Sequence, residues 1–150
     1  MELHEVEKQA KALMTAHGVG RLRFEFDGGK RRLGATHYVR ANCGTVLAEK
    51  ITLSKHYAVL LPKEEIHDVI LHEIAHALAG YGHGHDHVWK AAARKIGAKP
   101  ERCARPSATP AHSIEGRCPK CDTKVSEHHR MPRAKYVHTL CRTPLVYVRL

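Results

Sequence analysis

The chain has 150 residues, 43% of them apolar, with five cysteines and a formal net charge of +10. No window approaches the eighteen or more uncharged apolar residues of a membrane-spanning helix, and an odd cysteine count excludes a fully paired disulfide framework. Residues 1–87 hold 11 Lys/Arg against 11 Asp/Glu and residues 88–150 hold 14 against 4, so the whole excess charge falls at the C-terminal end, the footprint either of a polyanion partner or of a merely solvated basic face.

The opening "MELHEVEKQAKALMTAHG" mixes acids and lysines with apolar residues and lacks the basic-then-apolar order of a secretory signal, so a cytoplasmic protein with reduced thiols is expected. Val6, Ala10, Leu13 and Met14 share one stripe, which predicts an amphipathic helix over 3–16, closed by the glycines of "HGVG". "RLRFEFD" alternates strictly, with Leu22, Phe24 and Phe26 on one face, and reads as a half-buried strand entering a hairpin at "DGGK". "RRLGATHYV" and "EKITLS" are expected as further strands, although Gly34 and "RANCG" interrupt their pattern. "LLPKEEIHDVILHEIAHALAG" is the clearest helix. Pro62 fits its first position, Glu64 and Glu65 favour the positive end of its dipole, and Ile66, Val69, Ile70, Ala77 and Leu78 form an apolar stripe. "VWKAAARKIG" follows as another helix ending at Gly97, and from Ala98 the stretch "AKPERCARPSATPAHSIEG" has the composition of a linker. Beyond it lie short strand-like runs with cysteines at both ends, too few residues for an independent core and therefore suited to a metal staple.

Chemistry concentrates in "LHEIAHALAGYGHGHDHVW", Leu71 to Trp89. His72 and His76 are four apart on a helix, so their imidazoles share a face and can share one tetrahedral ion. Glu73 follows the first histidine, which places its carboxylate beside the remaining coordination position, the arrangement of a zinc hydrolase. A third ligand must come from outside that helical turn, and His83, His85 and His87 are the candidates. The metzincin pattern fits poorly, since Ala79 and Gly82 stand where it wants glycine and histidine. Tyr81 is placed to polarise an oxyanion, although a tyrosine after a helix more commonly packs.

Cys118 and Cys121 in "CPKC" have knuckle spacing, and "HTLC" supplies His138 and Cys141 with the same gap after sixteen intervening residues, a Cys₃His set for a closed structural zinc. A redox role for "CPKC" would need a strand-to-helix setting that is not evident. Cys43 and Cys103 read as buried small apolar residues or free thiols. Arg117, Lys120, Lys124, Arg130, Arg133, Lys135 and Arg142 are interleaved with His128, His129 and Tyr136, a composition suited to phosphates and unpaired bases. No groove-reading helix is recognisable, so binding without sequence specificity is expected.

On these residues the chain resembles the SprT-like metalloproteases. In that family a G-H-G-x-x-aromatic segment follows the zinc helix, and "GHDHVW" at 84–89 aligns with it, with Asp86 where the family usually has glycine. The resemblance implies that His85 is the third ligand and that Trp89 anchors the next helix. It covers most of residues 3–97, including the leading helix, the strand pair and "ITLSKHY" before the zinc helix. The implied fold is α+β: a minimal zincin domain at 1–97 with the zinc helix beneath a small sheet, a linker at 98–116 and a zinc ribbon at 117–150. SprT-like chains commonly carry such a ribbon, and "YVHTLCRTPLVYV" looks like its second hairpin, with His138 replacing a cysteine. Two Zn²⁺ ions are implied, one catalytic on His72, His76 and His85 with Glu73 as general base, and one structural on Cys118, Cys121, His138 and Cys141. The implied activity is proteolysis of proteins bound or crosslinked to DNA, by a DNA-associated monomer with no membrane partner. The alternative is a non-proteolytic DNA-binding accessory protein that uses the zincin as scaffold.

Overall fold

The structure, a computed structural model, describes residues 1–101 and 105–150; Cys103 lies outside the described residues. The chain divides into two units, residues 1–109 and 110–150.

In the first unit, α1 (Leu3–Ala16) starts where Glu5 Oε2 accepts the Glu2 N–H at 3.1 Å. It buries Val6, Ala10 and Met14, the residues its helical period brings to one side. Three strands follow, β1 (Arg23–Asp27), β2 (Gly34–Arg40) and β3 (Val46–Ser54), in the spatial order β1-β3-β2. The hairpin expected at "DGGK" is therefore not formed. β1 pairs in parallel with β3, Phe24 opposite Ile51 and Phe26 opposite Leu53, while β2 pairs antiparallel with β3. The physical reason lies in residues 28–33, which cross the end of β3 instead of folding back on β1. Leu33 C=O accepts the Ser54 N–H at 2.8 Å, and the Ser54 hydroxyl donates to Gly29 C=O. "RANCG", which interrupts the strand pattern, belongs to the turn of the β2–β3 hairpin, where Ala41 N–H donates to Thr45 C=O at 2.7 Å and Gly44 has φ 88°.

Ser54 then caps α2 (Lys55–Leu60), a short helix that starts within "ITLSKHY". α3 (Lys63–Ala79) begins just after Pro62, with Glu64 and Glu65 in its first turn. It packs against α1, α4 (His87–Lys95), β2 and β3, so it buries Ile66, Ile70, Leu71, Ile74 and Ala75 and not a single stripe; Leu78, expected inside, is 41% exposed. Residues past α4 stay with this unit. Ala98 is buried, Ala108 packs against the core, and Ser107 N–H donates to Glu65 Oε2 at 3.1 Å.

The second unit contains β4 (Ile114–Arg117), β5 (Lys124–His128), β6 (Val137–His138), β7 (Thr143–Pro144) and β8 (Val146–Arg149). β4 is the centre of an antiparallel sheet ordered β5-β4-β8, and β6 pairs with β7. Among the described residues no helix is long and apolar enough to cross a membrane.

Candidate metal centres

α3 sets His72 and His76 one turn apart on the same face, their ring centroids separated by 4.9 Å. Past the helix, positive φ at Gly82 and Gly84 lets the chain double back within a few residues and bring His85 to the same place. His72 Nε2 lies 3.2 Å from His76 Nε2 and 3.0 Å from His85 Nε2. Three ring nitrogens converge on one point. Trp89, on α4 and fully buried, lies against all three rings, with centroid separations of 4.7, 5.4 and 4.7 Å to His72, His76 and His85.

Burial, reinforced by the neighbouring imidazoles, pushes His72 down to about 4; burial and His85 do the same for His76. Both stay neutral at pH 7, with lone pairs available to a cation. Zinc–nitrogen bonds of about 2.0–2.1 Å in a tetrahedron put ligand nitrogens about 3.3 Å apart, close to the spacing observed. The donor set fits a zinc-like ion. His83 and His87 stand apart from it. His83 Nδ1 is 2.9 Å from Asp86 Oδ2, and His87 opens α4. Asp86, in the place usual for glycine, is the N-cap of α4, accepting the N–H groups of Val88 and Trp89 at 3.0 and 3.1 Å.

Glu73 is buried, and that burial pushes its carboxyl up to about 7 against the lowering effects of a Thr36 hydrogen bond and the Arg32 charge. Thr36 Oγ1 lies 2.9 Å from Glu73 Oε2 and 2.8 Å from the Glu73 carbonyl oxygen. Tyr38 OH donates to His76 C=O at 2.8 Å, and Tyr81, 61% exposed, meets the Tyr38 ring edge-on at 5.6 Å. Thr36 and Tyr38 escape a reading of sequence pattern because nothing local links β2 to a helix 37 residues further on. An open cleft of about 690 Å³ is lined by Gly84, His85, Lys90, Pro100 and Glu101.

In the second unit, Cys118, Cys121, His138 and Cys141 bring their ligand atoms within 4.8 Å of one another. Each ligand pair sits on a tight turn whose next residue is left-handed, Asp122 at φ 56° and Arg142 at φ 51°. Hydrogen bonds from Thr123 pull Cys121 down to about 6, while its bond to Cys121 and burial push Cys141 up to about 11. A bound cation would favour the thiolate form of these ligands. Besides these two clusters, among the described residues no group of three or more His, Cys, Asp or Glu side chains has this convergence. Cys43 is a free, exposed thiol in the β2–β3 turn.

No curated protein and no solved structure gives a significant match to the chain. The comparison with protein families does: residues 3–112 match the SprT-like family, a span that includes the helix α3, the returning loop and all three convergent histidines. On that match, over well more than half of its length, the chain belongs to the SprT-like family.

Proposed function

We propose that the chain is a zinc-dependent metalloendopeptidase that works on proteins held on DNA. The observation that carries the hydrolytic part is the meeting of three ring nitrogens, His72 and His76 held neutral among them, on the helix that also presents a buried carboxyl one residue after the first ligand. His72, His76 and His85 would hold the catalytic ion. Zinc in such a site acidifies water to a pKa of about 7 and polarises a peptide carbonyl. Glu73 takes the proton from the attacking water on a carboxylate oxygen and returns it to the departing amide nitrogen, so it ends the cycle as it began. Burial, which raises this carboxyl in the metal-free chain, favours its holding the proton between the two transfers. Cys118, Cys121, His138 and Cys141 would close around a second, structural ion.

Support for the nucleic-acid part comes from charge. Among the described residues Lys120, Arg130, Arg133, Lys135 and Arg142 make no ion pair, whereas Arg117 and Lys124 are engaged by Glu115, Asp122 and Glu127. His128 stacks with the half-exposed Tyr136 at 6.1 Å. Free cations beside planar rings suit the backbone and unpaired bases of a single strand. Holding enzyme and substrate on one polymer replaces recognition of the substrate's own sequence with proximity.

The test is digestion of a DNA-bound protein by the zinc-loaded chain and its Glu73→Gln variant, with and without DNA. Cleavage that needs DNA and falls by at least about 100-fold in the variant is expected. Equal cleavage by both, or none by either, supports the non-proteolytic DNA-binding alternative.

A further inference from the structure

β2 addresses α3 through alternate residues. A Cβ on Gly34 would stand 3.2 Å from Glu73 Cγ, Thr36 reaches both polar ends of Glu73, and Tyr38 reaches His76 C=O. The Thr36 contacts contain a constraint. One hydroxyl hydrogen faces two oxygens, at 2.8 and 2.9 Å, and both are acceptors when Glu73 is ionised. The hydroxyl can share its hydrogen between the two in a three-centre bond, which ties the carboxyl of Glu73 to its own backbone through β2.

We propose that Thr36 is a positioning residue for Glu73, its hydroxyl holding the carboxyl in one orientation against β2. This rests on the hydrolytic reading of His72, Glu73, His76 and His85. A glutamate left free samples several rotamers, and ordering it in each turnover costs rate. Gly34 complements the hydroxyl, because its missing side chain leaves the room in which Glu73 Cγ packs. Serine would preserve both contacts, while valine, with the shape of threonine, would abolish them.

The experiment uses the zinc-loaded full chain as wild type, Thr36→Val and Thr36→Ser. Thr36→Val is expected to lower kcat about 10- to 100-fold, the usual loss when an outer partner of a metal site is removed, with KM and bound zinc unchanged, and Thr36→Ser to restore most of it. A second readout needs no turnover. In the metal-free chain, NMR couplings along the Glu73 side chain should report a single rotamer in wild type and Thr36→Ser, and averaging in Thr36→Val. Thr36→Ala replaces the valine variant if the latter does not fold. Unchanged kcat, a loss carried by KM or zinc content, or an unaveraged Glu73 in the valine variant overturns the proposal. Should wild type cut no faster than Glu73→Gln, the hydrolytic reading falls, and the rotamer comparison still decides whether Thr36 holds Glu73.

Discussion

Gly34 stands at the tightest approach between the sheet and the metal helix. A methyl group there would lie 2.9 Å from Thr52 O and 2.9 Å from Leu53 Cδ2, and the first of these is backbone that cannot swing away. Gly34→Ala should therefore cost about 1–3 kcal/mol by urea denaturation, the range for overpacking, and should displace Glu73 as well. A stability within a few tenths of a kcal/mol of wild type would show that β2 yields at this point. How far single residues are legible from sequence depends on whether their contacts are local. His72, Glu73 and His76 are read together because helical spacing alone fixes their common face. His83, His85 and His87 are equivalent by spacing; the fold distinguishes them through Asp86, which caps α4 and engages His83, leaving His85 toward the cluster. An acidic residue just ahead of a helix is itself a cap signal, so the start of α4 at Asp86 is legible in the chain's own residues. Gly34 as a glycine in a strand flags only some close approach, without saying to what.

At the scale of elements, the longer helices were legible, while the short α2 and the sheet order were not. α1, α3 and α4 each carry a period and an end signal within their own residues. Which strands become neighbours depends instead on where a connection is pinned, and here the deciding residue is Asp27 at the end of β1. Asp27 Oδ1 accepts the Gly29 N–H at 2.8 Å, Thr52 Oγ1 donates to Oδ2 at 3.0 Å, and Arg32 reaches Oδ2 at 3.3 Å. "DGGK" does make a local turn, yet these bonds aim it across β3. Partial burial works to raise the Asp27 carboxyl, but the Gly29 and Thr52 hydrogen bonds and the Arg32 charge outweigh it and hold the group below its ordinary value. The native state thus binds that proton more weakly than the unfolded chain does. Its contribution is complete above the ordinary aspartate pKa of about 4 and disappears as pH falls through the lower native value. Replacing Asp27 with Asn should lower stability near neutrality and flatten the acid limb of a stability–pH curve between about pH 5 and 3, measured on the metal-free chain. Parallel curves for the two proteins would mean that Asp27 does not pin the connection.

Across the whole molecule the two units solve the problem of staying folded by different means. Residues 1–109 hold a continuous apolar cluster running from Val6 through Ile51, Ile70 and Trp89 to Ala98. Among the described residues of 110–150 the buried apolar side chains are only Pro110, Ile114, Cys118 and Leu145, while Leu140 is 88%, Leu150 73% and Val146 51% exposed. A segment near 40 residues with so small a core falls short of the ordering entropy it must overcome, unless a metal contributes. Structural zinc supplies folding free energy on the order of 10 kcal/mol or more in small ligand sets of this kind. The sequence signalled this arrangement through the paired C-x-x-C and H-x-x-C spacings, because those ligands lie on two short turns whose geometry is local; the shape of the sheet around them is not. Chelation of the full chain should accordingly collapse the amide signals of residues 110–150 toward random coil while those of the first unit stay dispersed, as read by two-dimensional NMR. Cys118→Ser should produce the same collapse and lower the zinc content from two per chain to one. His76→Ala should remove the other ion and leave both sets of signals dispersed, since the core of the first unit does not depend on its ligands. Dispersed signals from 110–150 in the chelated chain would show that the second unit folds on side-chain packing that four buried residues do not account for.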